Sequence, residues 1–177
     1  MLDNDQVHNN RERKTMIRNA SAIYIILADF TLGVLWHLVM LFACIYMPAK
    51  TFDRNRWLYQ KRKWELEGKL YSKYLKIGKW KDILPQRVGS DGFSKAHFTS
   101  TSKEYVDRFI FETCRGEWNH IMNCFYGIVP LVISPLKYGL VFTMLAIIGN
   151  VPFIAIQRYN RLRLIKIQEK LDKRREQ

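Results

Sequence analysis

Long apolar blocks alternate with charged segments along this chain and predict membrane-inserted helices. The first block runs from Ser21 to Met47 as SAIYIILADFTLGVLWHLVMLFACIYM, which exceeds the roughly 20 residues that an α-helix needs to cross a bilayer. A second block covers about 121–136, and a third covers about 138–156. The pattern predicts an all-α integral membrane protein with about three hydrophobic helical elements.

The second apolar block is short and carries helix-breaking residues. Gly127, Pro130 and Pro135 all fall within it, and such residues are tolerated in a membrane where neighbouring groups satisfy the freed backbone. We therefore predict a tilted or re-entrant half-span that turns back into the third block at about 134–138.

The segment between the first and second blocks mixes cations with aromatic residues. From Lys50 to Lys81 it has eleven Lys or Arg residues against three acids. This mixture favours a basic amphipathic helix over 51–82 that lies on the membrane surface, with its cations at anionic headgroups, rather than a nucleic-acid interface. A polar loop follows at 86–102; it contains His97, whose participation the sequence leaves open.

The overall composition sharpens the topology. The chain has a net charge of +13, and from Arg158 to Gln177 it has eight Lys or Arg residues against three acids. Positive segments that flank spans stay in the cytoplasm, so the middle region and the C-terminal tail are both expected there. The basic N-terminal segment is expected outside; the alternative is a first block that bends near Gly33 and returns.

These patterns divide a single membrane domain, 1–177, into five parts. We predict a multi-pass protein of the cell membrane with most of its polar mass in the cytoplasm. Its three cysteines form no zinc-binding pattern and are expected to be unpaired. The predicted parts are a basic N-terminal segment at 1–20, a first span at 21–48, a basic interfacial region at 49–118, a helical hairpin at 119–156 and a basic tail at 157–177.

Candidate chemistry lies just before the second apolar block, in the predicted helix 103–125. Glu117 and His120 are three residues apart, as are Glu112 and Arg115, so the members of each pair share a helix face. A carboxylate beside an imidazole orients the ring to take a proton from a hydroxyl group. We predict His120 as a general base and Glu117 as its orienting partner. Glu112 and Arg115 are predicted to fix this catalytic site.

Two other interpretations of this helix stay open. Glu112 and Arg115 can form an ordinary ion pair while His120 only marks the membrane interface. Glu117-x-x-His120 is also one half of a di-iron carboxylate motif, but the sequence has no second Glu-x-x-His. No metal ligand set is therefore predicted.

A second polar cluster follows the third apolar block. Gln157, Arg158, Asn160 and Arg161 occur together in QRYNR. Cations that leave a span usually anchor it on the cytoplasmic side, but Arg158 and Arg161 share a helix face that suits a grip on phosphate or carboxylate. We predict that this cluster binds the phosphates or the sugar of a substrate.

Three islands of sequence resemble the glycosyl-diaponeurosporenoate acyltransferases, which complete staphyloxanthin-type carotenoids. Their order and spacing match over about 50–165. The islands are Tyr74-Leu75 with Lys79-Trp80-Lys81, then Glu112-Thr113-x-Arg115-x-Glu117-x-x-His120, and finally Asn150-Val151-Pro152 leading into Gln157-Arg158-Tyr159-Asn160-Arg161-x-Arg163-Leu164. Trp80, in the first island, joins the candidate substrate-binding residues.

The resemblance implies an enzyme that transfers a fatty acyl chain to a sugar hydroxyl of a glycosylated carotenoid or glycolipid. Its donor would be acyl-CoA or acyl carrier protein, and the chemistry would need no cofactor. Membrane lipids are its other expected partners, and nucleic acid is not one. The alternatives are a non-catalytic scaffold subunit of a lipid or carotenoid pathway, and an ion pathway through Asp29 and His37.

Overall fold

All regular elements in the described residues of the computed structural model, 4–84 and 102–175, are helical. The predicted all-α class is therefore confirmed. The four α-helices are α1 at Asn4–Tyr46, α2 at Lys103–Phe125, α3 at Ile128–Ile133 and α4 at Leu136–Arg175. In the described part of the chain between α1 and α2, 47–84, there are six short helical turns, at Ala49–Phe52, Trp57–Tyr59, Lys63–Gly68, Leu70–Tyr74, Ile77–Lys79 and Lys81–Ile83.

Helices α1 and α4 present apolar surface that the rest of the protein does not cover. Ser21–Tyr46 and Leu136–Arg174 each contain an 18-residue window with a mean hydropathy of 2.1, and only 6% and 11% of these windows are buried. A core helix of a soluble protein would be mostly buried, whereas so much exposed apolar surface requires lipid. The chain is therefore a membrane protein, as its sequence predicted.

Helices α2, α3 and α4 form an antiparallel hairpin. The chain reverses between Ile133 and Leu136, in agreement with the turn predicted at about 134–138. The reversal is tight, because a Cβ atom at Gly139 would lie 2.6 Å from the Pro130 carbonyl oxygen. Helix α4 then continues unbroken through the position where the hairpin was predicted to give way to the tail.

The hairpin packs along α1 between Asp29 and Cys44. Arg115 Nε of α2 donates a 3.0 Å hydrogen bond to the Cys44 carbonyl oxygen, and Ser134 Oγ lies 2.8 Å from both carboxylate oxygens of Asp29. Cys44 and Asp29 are separated by about 22 Å along a helix that rises 1.5 Å per residue. The tip of the hairpin therefore reaches far along the span of α1.

Residues 51–82, which we call the basic segment, do not form the single amphipathic helix that their composition predicts. The backbone of this segment enters the left-handed region at Leu66, Glu67 and Lys76, with φ of 52°, 58° and 48°, where an α-helix of L-residues cannot continue. The buried side chains of this segment are spaced about six residues apart. Six residues of an α-helix turn through about 600°, which is not a whole number of turns, so successive buried side chains would lie on different faces of a single helix. These buried side chains are Phe52, Tyr59, Glu65, Tyr71 and Ile77.

Candidate active site

Four charged side chains meet in the interior where α2, α4 and the basic segment join. Glu65 and Glu117 are at most 1% exposed, and Arg158 and Arg161 are 7% and 1% exposed. Arg158 Nη1 donates to Glu117 Oε1 at 2.6 Å, and Arg161 Nη2 forms an ion pair with Glu117 Oε2 at 2.5 Å. Burying charge is tolerated only when it is paired, and here two acids neutralise two bases. We call these four residues the charge cluster.

Arg158 is the centre of the charge cluster. Its Nε donates to Glu65 Oε1 at 2.6 Å and its Nη2 to Glu65 Oε2 at 3.1 Å. Nη1 also donates to the Leu58 carbonyl oxygen at 3.2 Å, and Nη2 donates to that of Gln60 at 3.0 Å. With the bond to Glu117, five contacts use the five N–H groups of a guanidinium. Arg158 therefore joins α2, α4 and the basic segment. Its sequence context had suggested instead that it binds a phosphate or sugar.

Glu65 is the partner of Arg158 from the basic segment. Burial alone would raise the pKa of this carboxyl, but hydrogen bonds from Arg158, Tyr71 and the Arg62 backbone outweigh burial and lower the pKa. Tyr71 Oη donates to Glu65 Oε1 at 2.7 Å. Burial and this hydrogen bond raise the pKa of Tyr71. The carboxyl thus stays ionised and the phenol stays protonated at neutral pH.

Arg161 is less completely paired than Arg158. Within residues 4–84 and 102–175, its Nε and Nη1 atoms make no hydrogen bond, while its guanidinium lies 5.5 Å from the centre of the Tyr59 ring. The neighbouring thiol of Cys114 has its pKa raised to about 11 by burial, against the opposing effect of Arg161. Cys114 is therefore a thiol at neutral pH and is not an activated nucleophile.

His120 lies one helical turn beyond Glu117, and its ring is fixed by α4. Its Nδ1 is 2.9 Å from Asn150 Oδ1, and its ring stacks on Phe153 with a centroid distance of 4.7 Å and an interplanar angle of 10°. Because Asn150 Nδ2 donates to the Ala146 carbonyl oxygen at 2.8 Å, Oδ1 faces the imidazole and accepts from Nδ1–H. In the neutral ring this network assigns the lone pair to Nε2.

The orienting partner of His120 therefore differs from the sequence prediction. Glu117 was expected to hold the imidazole, but both of its carboxylate oxygens face arginines, and Asn150 supplies the contact at Nδ1.

Gln157 of α4 packs directly against Gly116 of α2: a Cβ atom at Gly116 would lie 2.9 Å from Gln157 Cδ. Among the described residues, Gln157 Oε1 is buried without a hydrogen-bond partner.

His120 lies near the edge of the apolar surface. The exposed large apolar side chains of α4 that the structure describes run from Leu136 to Val151, so Asn150 is almost at their end. The charge cluster follows immediately, at Arg158 and Arg161. This order places the imidazole near the boundary between hydrocarbon and headgroups, where the polar end of a lipid-like substrate would lie.

The other predicted site residues have mainly structural contacts. Arg115 lies 3.2 Å from Glu112 and also bonds to the Cys44 backbone, so this pair joins α2 to the end of α1. Trp80 Nε1 donates to the Leu75 carbonyl oxygen at 2.9 Å while its ring packs on a cluster that includes Ile156 of α4. Asn160 is buried, with 7% exposure. His97 lies outside the described residues.

The two ionisable residues of the first span are held by the hairpin. Asp29 accepts from Ser134, as described above, and His37 Nδ1 is 3.1 Å from Asn123 Nδ2 of α2. These contacts give both residues a helix-packing role, which accounts for their presence without an ion pathway. No group of three or more metal-ligating side chains occurs in the part of the chain that the structure describes.

Sequence reasoning missed two residues of this site. In the sequence, Glu65 was counted only as one of three acids in a strongly basic segment. An acid that is rare in such a segment is a candidate partner for a buried cation, and this was the available signal for Glu65. Asn150 was noted only as part of a sequence island. An amide within an apolar block is costly unless it is paired, and this cost was the available signal for Asn150.

Comparisons with known proteins agree on one family. The sequence profile of the family described as glycosyl-4,4'-diaponeurosporenoate acyltransferase matches residues 55–170. Proteins of that name from Staphylococcus aureus strains bovine RF122 / ET3-1 and USA300 are 27% identical to this chain over 135 residues, and the one from strain N315 is 28% identical over 137. Each match covers 73% of this chain and 79% of the relative. No solved structure matches the chain.

Proposed function

Because this chain belongs to the glycosyl-4,4'-diaponeurosporenoate acyltransferase family, we propose that it transfers a fatty acyl chain to a sugar hydroxyl of a glycosylated carotenoid. The family expected from the three sequence islands is confirmed, and the protein is an acyltransferase. A non-catalytic scaffold, the alternative considered from sequence, is not favoured by this membership. Glycolipids remain a second class of acceptor.

His120 is the general base in this proposal. With Nδ1–H donating to Asn150, the lone pair of the neutral ring is on Nε2, and this nitrogen takes the proton of the acceptor hydroxyl in the reaction; a base oriented by a third group has this arrangement. The hydroxyl oxygen then attacks the carbonyl carbon of an acyl thioester and forms a tetrahedral intermediate. The C–S bond breaks, the thiolate takes the proton back from the imidazolium, and the products are a sugar ester and a free thiol.

The setting of His120 suits a lipid-linked acceptor. A polyene can lie along the exposed apolar surface of α4 while its sugar reaches the level of Asn150 and Val151. Phe153 limits rotation of the imidazole by stacking, so the base is positioned before the substrate arrives. The charge cluster joins α2 to α4 next to the His120 site, on the side away from the apolar surface.

The orientation in the membrane is part of the same proposal. The basic segment and the C-terminal half of α4 lie on one side of the membrane, because Arg158 bonds to Glu65 and Lys166 Nζ bonds to the Glu67 carbonyl oxygen at 2.7 Å. Their cations favour the cytoplasmic face, where an acyl-CoA or acyl carrier protein donor is available. The exposed rings of Trp57 and Trp64 are suited to the interface beside them.

The test is acyl transfer by purified protein in membranes. His120→Gln keeps a polar side chain of similar size but removes the base, and the transfer rate is expected to fall by about 100-fold or more. His37→Gln is the matched control for the loss of a histidine, since His37 lies on α1 and contacts Asn123, one helical turn beyond His120 on α2. A His120→Gln protein that transfers at the wild-type rate would remove His120 from the mechanism.

A further inference from the structure

A separate cleft of about 300 Å³ opens between the basic segment and α4. Its size is at the lower end of the range typical of small-molecule sites. Three cations line it: Lys69 from the basic segment, and Arg163 and Lys166 from α4. We call it the basic cleft.

The basic cleft keeps its positive charge. Its one acid among the described lining residues is Glu67, whose carboxylate is held by Lys61 Nζ at 2.7 Å. Lys166 Nζ bonds to the Glu67 carbonyl oxygen, which is a neutral partner. This contrasts with the charge cluster, where acids neutralise the arginines, and it makes the basic cleft the better candidate for binding an anion.

The floor of the basic cleft is apolar and aromatic. Tyr71, Tyr159 and Leu162 contribute to it, and the Arg163 guanidinium lies 5.3 Å from the centre of the Tyr159 ring. A basic rim above an aromatic floor suits a ligand that combines phosphate with a flat ring. A nucleotide has both features, whereas a phospholipid headgroup has only the first.

The wall of the basic cleft contains unusual backbone. Leu66, Glu67 and Gly68 are consecutive residues with φ of 52°, 58° and 84°, and Glu67 and Gly68 line the cleft. Two of the three carry side chains that disfavour this region, and such strain concentrates at ligand sites. The turn brings Lys69 opposite α4, which is the geometry that a clamp on a bound anion needs.

The level of the basic cleft along α4 favours a water-soluble ligand. From Val151, the last exposed large apolar side chain described on α4, the helix rises about 12 Å to Tyr159 and about 22 Å to Lys166. The headgroup layer is only about 5–8 Å thick on each side of the hydrocarbon core. The cleft therefore lies on the aqueous side of the hydrocarbon core, where a water-soluble ligand can reach it.

We propose that the basic cleft binds a phosphate ester, supplied by the nucleotide end of a coenzyme A thioester that serves as acyl donor. In this form the inference rests on the proposed function. Tyr159, Leu162 and Lys166 lie on the face of α4 remote from the Asn150 face, so the cleft is distinct from the His120 site. It holds the end of the donor that is far from the thioester.

The experiment measures coenzyme A binding by calorimetry, with the full chain in phosphatidylcholine nanodiscs. The triple variant Lys69→Gln, Arg163→Gln, Lys166→Gln is expected to lose at least about 10-fold in affinity, since each charge-assisted contact contributes that much or more. The matched control removes three exposed cations of the same segment that do not line the cleft: Lys63→Gln, Lys73→Gln and Lys76→Gln. It is expected to bind within about twofold of wild type, because the three cations that line the cleft are unchanged and the effect of exposed charges outside it is screened by salt.

A second arm identifies the source of the phosphate. Nanodiscs containing phosphatidylglycerol are analysed by native mass spectrometry for lipid retained by each protein. If wild type binds no coenzyme A but retains this lipid, and only the cleft triple variant loses it, the phosphate site stands with a headgroup as its ligand. If both triple variants match wild type in both arms, the inference is overturned.

The proposed function can fail separately. If the protein binds coenzyme A through the basic cleft but transfers no acyl chain, the proposed ligand site stands and the proposed function is rejected. If the cleft triple variant transfers the acyl chain with an unchanged KM for the donor and an unchanged affinity for coenzyme A, the function stands and the ligand site is rejected.

Discussion

Arg158 of α4 and Glu117 of α2 form a buried ion pair with a 2.6 Å contact between Nη1 and Oε1. The same guanidinium binds Glu65 of the basic segment, so one side chain joins three parts of the chain. Apolar surface gains no hydrophobic free energy by moving from lipid to another helix, so helix association in a membrane depends on close packing and on polar contacts between helices. The ion pair between Arg158 and Glu117 is such a polar contact, and it fixes the register between α2 and α4.

Removing Glu65 should destabilise the protein strongly. In Glu65→Gln, Arg158 loses two charge-assisted hydrogen bonds while it remains buried, and breaking a buried pair by removing one partner costs about 3–5 kcal/mol. Thermal unfolding in detergent, followed by circular dichroism, measures the effect. Glu67→Gln is the control, because its ion pair with Lys61 is exposed, and its unfolding midpoint should stay close to wild type. Equal midpoints for the two variants would contradict the structural role of Glu65.

The stabilisation by Glu65 should depend on pH. The pKa of Glu65 is lower in the folded protein than in the unfolded chain because of its hydrogen bonds from Arg158 and Tyr71. Its contribution is therefore complete above the usual pKa of a glutamate and is lost as the pH falls through the lowered value. Between about pH 7 and pH 3, the difference in unfolding midpoint between wild type and Glu65→Gln should stay constant at first and then narrow as the pH falls below the usual pKa of a glutamate. A constant difference across this range would show that the carboxylate charge is not responsible.

Arg158→Lys tests whether the guanidinium shape matters or only its charge. Five contacts surround Arg158, and a lysine ammonium has three donors without the planar fork. We expect a loss of at least about 2 kcal/mol in stability from the unpaired buried acceptors. Unfolding midpoints measure this loss, and Arg163→Lys, at an exposed position, is the control. A stable Arg158→Lys protein would show that the contacts to Leu58 and Gln60 contribute little.

Gly139 should be required for the tight reversal between α3 and α4. In Gly139→Ala the new methyl group would lie 2.6 Å from the Pro130 carbonyl oxygen and 3.0 Å from Leu131 Cα. Because these are backbone atoms, they cannot turn aside as a side chain can, and forcing an extra methyl group into such a packed contact costs about 1–3 kcal/mol. The control is Gly149→Ala, where no atom lies within 4 Å of the added carbon and helix propensity favours alanine by up to about 1 kcal/mol. Unfolding midpoints should move in opposite directions for the two variants. A downward shift of similar size in both would attribute the effect to glycine itself.

The membrane architecture could be predicted from sequence because bilayer thickness imposes a length that apolar blocks reveal. The reversal of the hairpin also followed from local signals, namely Pro130 and Pro135. Ser102 is the N-cap of α2, and its Oγ accepts from the Tyr105 backbone N–H at 3.2 Å, as serine commonly does at a helix N-terminus. These features depend on short-range rules, so a single sequence contains enough information.

The site could be predicted only in part, because its pairings are long-range. The spacing of Glu117 and His120 showed that the two residues could meet on one helix, and nothing local revealed that arginines 41 and 44 positions later would take the carboxylate. Glu65 and Asn150 join the site from segments brought close only by folding. The prediction for the basic segment was wrong for a related reason. A helix was predicted from its composition, whereas its backbone conformation depends on which of its side chains are buried against α2 and α4.

Asn150 should act on catalysis through His120. In Asn150→Ala the imidazole loses the acceptor that fixes Nδ1–H, and a misassigned tautomer lowers kcat by at least about 10-fold while leaving the KM of the donor unchanged. In Asn150→Asp a carboxylate accepts from the same nitrogen, so activity should recover. The new negative charge also raises the pKa of the imidazole, and the acidic limb of the kcat profile should move to higher pH. A purely structural role predicts lower yields of folded protein and an unmoved limb, so the pH profile of Asn150→Asp decides between them.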